Sequence, residues 1–255
     1  MFFPIKDDDR ALSKPAVVTH CLFWSNLVVF LYQLTHPEFT YAFSATPAEI
    51  TSGVDLTGPV MIDVDGRTLE IPHAPGPSPL LLTLFSSMFM HGGFMHIASN
   101  MLYLWIFGDN VEHRFGSKRF LMFYLVAGLA GSFAHILFDA DSIIPTLGAS
   151  GAISGILGAY IVLFPRNKVN CICMVFIVSI PAFIVIGLWA ASQFMAGLGS
   201  IAVTSQAGGV AYLAHIGGFL AGVAMAMFAK RQIREEPDNI LLRNYQQDAT
   251  AKKLW

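Results

Sequence analysis

The apolar positions along this chain come in long runs, not in the short alternations of a soluble fold. Five stretches carry no Asp, Glu, Lys or Arg: 15–37, 80–108, 120–138, 142–165 and 169–229. A spanning helix needs roughly 20 apolar residues, and each of the first four stretches accommodates one. The fifth is too long for a single helix and breaks at a glycine-rich segment, 196–209, with Gly197, Gly199, Gly208 and Gly209. Six helices are expected, at about 15–34, 94–112, 119–138, 149–165, 170–194 and 209–229. Between the first two lies a long connection, 35–93, in which the pattern changes. VMIDV (60–64) and RTLEI (67–71) alternate around Asp65-Gly66 and read as a β-hairpin. PHAPGPSP (72–79) reads as a stiff extended linker, and LLTLFSSMFMHGGF (81–94) as an apolar interfacial segment interrupted at Gly92-Gly93.

Composition turns that pattern into a class. Of 255 residues, 55% are hydrophobic and 13% charged, with a mean hydropathy of +0.58. A soluble domain would need far more charge to cover its surface, so the chain reads as an all-α integral membrane protein. The net charge of −2 argues for no particular partner; membrane lipids, and no nucleic acid, are the surroundings expected of a membrane protein. Orientation follows from Lys and Arg. Three lie in the N-terminal tail, three between helices 2 and 3 (Arg114, Lys118, Arg119), two between helices 4 and 5 (Arg166, Lys168), and six in or at the C-terminal tail. Arg67 alone falls on the opposite side. Both termini are therefore expected to be cytoplasmic, with loops 1, 3 and 5 outside. The expected organisation is a tail at 1–14, a six-helix membrane domain at 15–230 with the loop 1 insertion at 35–93, and a second tail at 231–255. MFFPIKDDDR, polar and acidic before the first apolar run, does not read as a cleavable signal peptide. Cys21 falls in helix 1, and Cys171 and Cys173 are expected to open helix 5 as reduced thiols.

Polar side chains at membrane depth are costly and mark function by default. They are His96 and Asn100 in helix 2, His135 in helix 3, Ser150 and Ser154 in helix 4, and His215 in helix 6. Counting back from the basic residue that ends each helix, at about 1.5 Å per residue, puts Asn100, Ser150 and His215 at roughly 21–24 Å and His96 one turn above. Equal depth is what a shared site requires. The pairs Gly151/Gly155 and Gly218/Gly222 are G-x-x-x-G spacings that let helix backbones approach. Close packing of helices 4 and 6 would bring the Ser150 hydroxyl to the His215 imidazole, an activated nucleophile. No acidic residue lies near that level, so the arrangement would be a dyad. Ser150 begins its helix, so its N–H and the next point outward unpaired, and Asn100 and His96 could add donors to an oxyanion hole. His135 reads as structural, His91 as holding its loop off the catalytic face, and Ser154, one turn below Ser150, as packing or bonded to its own helix.

These motifs resemble those of rhomboid intramembrane serine proteases. The resemblance rests on Gly148-Ala149-Ser150-Gly151 with Gly155, Ala214-His215…Gly218…Gly222, His91…His96…Asn100, and Glu112…Gly116, in order over helices 2–6. It implies a six-helix bundle without cofactor or metal, in a bacterial inner (plasma) membrane. It implies Ser150 as nucleophile, His215 as general base, and Asn100, His96 and the Ser150 N–H as the oxyanion hole. The substrates it implies are transmembrane segments of other membrane proteins, cut near the outer face, with entry gated by helix 5 and a loop at 195–209. Two features depart from the pattern. Leu82-Thr83 stands where some relatives carry Trp-Arg, and Ser154 stands where some carry a tyrosine stacked on the base, so His215 needs another support. Two alternatives stand beside this reading: a zinc hydrolase using His91, His96 and His215, weakened by the absence of H-E-x-x-H, and a catalytically silent binder of membrane helices.

Overall fold

The computed structural model describes residues 3–7, 15–64, 66–202 and 211–230. Loop residues 203–209 and the tail 231–255 lie outside them. A strand β1 (Phe3–Lys6) precedes helix α1 (Val17–Gln33). Two short helices, α2 (Pro37–Phe43) and α3 (Pro47–Ser52), lead to the strands β2 (Val60–Val64) and β3 (Arg67–Ile71). After the short helix α4 (Thr83–Ser86) come α5 (Phe94–Phe115), α6 (Ser117–Phe138) and α7 (Ser150–Leu163). Strands β4 (Lys168–Cys173) and β5 (Phe176–Pro181) then precede α8 (Ala182–Ala202) and α9 (Tyr212–Lys230). Among the described residues, α6, α9 and the part of α8 at Ala182–Gly199 are long and apolar enough to cross a membrane. A fourth span results if Leu80–Phe89 and Phe94–Phe115, bent by 78°, are counted as one. Helices α1 and α7 are apolar but shorter, at 17 and 14 residues.

α7 occupies the centre. Every residue from Gly151 to Tyr160 is buried, as expected of a helix that is apolar all round. Around it pack Leu104, Phe107, Val111, Phe120 and Tyr124 from α5 and α6. The outward faces remain apolar, with Trp24, Phe133, Leu137 and Leu188 all exposed, which suits contact with lipid chains. α7 and α9 meet backbone to backbone. A Cβ at Gly218 would collide with the Gly151 carbonyl, and one at Gly222 with the Gly155 carbonyl. Gly158 lies as tightly against the Phe219 carbonyl, and Gly131 of α6 would put a Cβ 2.6 Å from the Ala214 carbonyl. Gly151 itself has only ordinary contacts, 3.7 Å or more. Where Gly151 meets Gly218 the space is supplied from the α9 side, and where Gly158 meets Phe219 it is supplied from α7.

Two polar clusters fasten the bundle. The Glu112 carboxylate accepts from the Val18 N–H at 3.0 Å, the Thr19 N–H at 2.7 Å, the Thr19 hydroxyl at 2.8 Å and the Ser117 hydroxyl at 2.6 Å. It thereby caps the first turn of α1, whose N–H groups have no partner in their own helix, and ties it to α5 and α6. Gly116, at φ 76, joins α5 to α6 in a single residue, a conformation that favours glycine. The second cluster centres on Asp7, which accepts from the Asn110 amide at 2.7 Å and the Tyr160 hydroxyl at 2.5 Å.

Two sequence expectations require correction. Residues 170–181 are not the start of helix 5. β4 pairs antiparallel with both β5 and β1, giving the order β1-β4-β5. Cys171 and Cys173 therefore lie on a strand. The segment alternates Val169 and Cys171 inward, is rich in β-branched residues, and turns at Met174 with φ 56; absence of charge alone hid this. Residues 195–202 are helical and not part of a loop, so the chain leaves α8 later than the glycines suggested. Within the segment read as an N-terminal tail, residues 3–6 form the edge strand. β2 and β3 pair from Val60↔Ile71 to Val64↔Arg67.

Gly222→Ala is expected to destabilise the protein in detergent by about 1–3 kcal/mol through overpacking, while Gly187→Ala, which meets nothing within 4 Å, leaves stability unchanged or raises it by up to ~1 kcal/mol; thermal unfolding of the pair checks this. Glu112→Ala should cost about 1.5–3 kcal/mol from lost charge-assisted hydrogen bonds, read in the same assay.

Candidate active site

Ser150 is the first residue of α7, and His215 lies in the first turn of α9. The close crossing of these helices sets the Ser150 Oγ 2.8 Å from His215 Nε2. The other ring nitrogen, Nδ1, lies 2.7 Å from Oε1 of Gln193 on α8. Trp189 of α8 and Tyr212 of α9 flank the ring, with centroids at 6.3 and 6.5 Å. Gln193, Trp189 and Tyr212 are absent from the sequence-based site. An uncharged amide within an apolar run is the signal that marks Gln193, since it needs a partner at membrane depth. Ser154 turns away: its hydroxyl donates to the Ser150 carbonyl at 2.6 Å.

The ring of His96 approaches from α5. The Gly92 N–H donates to its Nδ1 at 3.3 Å, so a neutral imidazole carries its hydrogen on Nε2. Nε2 faces Gly148, where a Cβ would stand 2.8 Å from it and 3.6 Å from the Ser150 Oγ. His96 and Ser150 therefore border one small space, kept open by a glycine. Asn100, one turn on, is buried and donates one amide hydrogen to the His96 carbonyl at 3.0 Å; the amide has a second hydrogen to offer. The N–H groups of Ser150 and Gly151 fall in the first turn of α7, the positive end of its dipole. A hydroxyl held on an imidazole, with N–H donors beside it, is equipped for attack on a carbonyl and stabilisation of the resulting oxyanion.

His91 differs from expectation. Its ring packs edge-on against His96, with centroids 5.1 Å apart. Counting helix rotation from 91 to 96 assumed a continuous helix, but α5 begins only at Phe94. The loop-holding contacts of His91 run through its backbone: its N–H donates to Gln33 Oε1 at 3.0 Å and its carbonyl accepts from Gln33 Nε2 at 3.3 Å. Both ring nitrogens are buried without a hydrogen-bond partner among the described residues. His135 is near the end of α6, with a buried Nδ1 that has no hydrogen-bond partner among the described residues. Among the described residues, no three His, Cys, Asp or Glu side chains converge as a metal donor set, so His91, His96 and His215 do not form one.

Fold and site together define an integral membrane protein with a serine–imidazole pair inside its helical bundle. A family model described as the Rhomboid domain matches residues 79–232. The chain belongs to the rhomboid family. It is similar to the mitochondrial Rhomboid protein 1 of Saccharomyces cerevisiae, 28% identical over 159 residues, covering 61% of this chain and 44% of that protein. It is also similar to Rhomboid protease GluP of Bacillus subtilis, 35% identical over 144 residues, covering 56% and 26%. The mitochondrial RHOMBOID-like protein 12 of Arabidopsis thaliana is 30% identical over 171 residues, covering 60% and 48%. The matches span less than half the length of each of these relatives.

Gly148 has φ 127 and no room for a Cβ. Gly148→Ala should therefore lower stability by about 1–3 kcal/mol and displace His96, whereas Ser154→Ala changes stability by less; unfolding midpoints of the two variants test this.

Proposed function

We propose that the protein is an intramembrane serine endopeptidase that cleaves transmembrane segments of other membrane proteins. The observation that carries this reading is the 2.8 Å contact between Ser150 Oγ and His215 Nε2 within the membrane domain. Family membership and the similarity to a relative named as a protease support it.

In this reading His215 Nε2 takes the Ser150 proton as Oγ attacks the scissile carbonyl. The tetrahedral oxyanion forms beside the Ser150 N–H, His96 Nε2–H and Asn100 amide, which stabilise it more than the planar carbonyl. The imidazolium gives its proton to the leaving amine, the C–N bond breaks, and an acyl ester remains on Ser150. A water molecule then loses a proton to His215, attacks the ester, and releases the acid as Oγ recovers its proton. Among the described residues Gln193, and not a carboxylate, stands behind His215, so the chemistry is that of a dyad. No metal enters this chemistry, which needs no cofactor.

The topology we propose has six crossings, with α1 and α7 as short members, both termini cytoplasmic, and the β2–β3 hairpin outside. Lys and Arg distribution supports that orientation, and it sets cleavage near the outer face, at the N-terminal end of α7. The similarity to the Bacillus subtilis protein supports a bacterial inner membrane. The mitochondrial relatives favour an organelle membrane as the second reading of location.

Cleavage of a reporter transmembrane substrate in proteoliposomes tests the function. Ser150→Ala and His215→Ala should each lose activity by roughly 10³-fold or more, Ser154→Ala should retain it, and excess chelator should leave the wild type unaffected. Activity persisting in Ser150→Ala, or lost to the chelator, would overturn the assignment.

A further inference from the structure

His215 does not stand alone behind Ser150; a directed run of hydrogen bonds reaches it from α8. The Ser192 hydroxyl lies 2.6 Å from the Trp189 carbonyl. A carbonyl only accepts, so the single hydroxyl hydrogen of Ser192 is committed there. The Ser192 oxygen is then an acceptor for Gln193 Nε2, 3.2 Å away. With its NH₂ turned to Ser192, the Gln193 amide presents its oxygen to His215 Nδ1 at 2.7 Å. That oxygen also only accepts, so Nδ1 carries the imidazole hydrogen. Nε2 is left with a bare lone pair facing the Ser150 hydroxyl at 2.8 Å. The opposite amide orientation would face NH₂ towards Nδ1 and put the hydrogen on Nε2, where the imidazole could not take the serine proton. One backbone carbonyl thus sets the polarity of the whole run.

We propose that Ser192 and Gln193 of α8 are positioning residues that hold His215 in the tautomer and orientation needed to accept the Ser150 proton. Gln193 fills the place that an orienting carboxylate takes in a triad, without adding a charge at membrane depth. The inference rests on the serine-protease reading. It also makes the base depend on α8 staying packed against α9, because any outward displacement of α8 withdraws the acceptor from Nδ1.

The test is cleavage kinetics of the full chain in proteoliposomes across pH, for the wild type, Ser150→Ala, Gln193→Met, Gln193→Glu and Ser192→Ala. Gln193→Met keeps length and loses the acceptor; kcat should fall about 10–100-fold with KM within about twofold. Ser192→Ala should lower kcat by less, since the amide keeps a rotamer that serves Nδ1. Gln193→Glu restores an acceptor and should recover most of the kcat lost in Gln193→Met. Its carboxylate stabilises the imidazolium, so activity, which needs the neutral ring, should appear only at higher pH than in the wild type. A Gln193→Met variant with wild-type kcat overturns the proposal. So does a Gln193→Glu variant that stays as slow as Gln193→Met, or whose acid limb does not move; this second variant decides the matter if Gln193→Met does not fold. A wild type without cleavage, or an active Ser150→Ala, overturns the protease reading and this inference together, an outcome distinct from failure at Gln193 alone.

Discussion

The structure depends on the crossing of α7 and α9 at backbone distance. In a bilayer the lipid tails are as apolar as leucine, so burial of apolar surface does not draw two helices together. Association rests on close van der Waals contact, and only glycine lets carbonyls of one helix touch the Cα atoms of the next. Gly218 and Gly222 do this against the Gly151 and Gly155 carbonyls. The crossing holds the start of α7 against the first turn of α9 and sets Ser150 and His215 at hydrogen-bond distance. A methyl group at the α9 glycines would open that distance before it touched either polar side chain.

The helices around the site are held in different ways. α7 and α9 are locked by backbone contact, and α1, α5 and α6 by the buried Glu112 carboxylate. α8 has Gly187 and Gly199 with nothing within 4 Å, although its Gly197 packs against Ile216, and it reaches the site through Gln193 Oε1, which accepts from His215 Nδ1. A hydrogen bond between side chains breaks with a small displacement, whereas interlocked backbones resist one. α8 therefore brings its group to the far side of the imidazole by a side-chain contact and not by interlocked backbone.

Much of this plan was legible in the chain. Charge-free runs located the long helices because lipid excludes charge over about 20 residues whatever the tertiary contacts. Depth counting brought Ser150 and His215 to one level because helix rise is fixed. Val169–Pro181 is charge-free, yet it is strand and not helix, and absence of charge carries no information about period. Helical rotation misjudged His91 because the chain bends between α4 and α5. Gln193 escaped notice because depth is counted from a basic residue at the helix end, and the start of α8 was misplaced by about a dozen residues.

The sequence by itself determined the class of protein, the helices that run through it, the family motifs and the level at which polar groups gather. These follow from local rules: hydrophobic length, glycine spacing and rise per residue. Tertiary structure alone decided which groups meet. It put β1 beside β4, the Asp7 carboxylate beneath Tyr160, the His91 ring on His96 and the Gln193 oxygen on His215. Most of these contacts join elements distant in sequence, and that of His91 with His96 depends on the bend ahead of α5; no spacing of residues specifies how such elements turn towards one another.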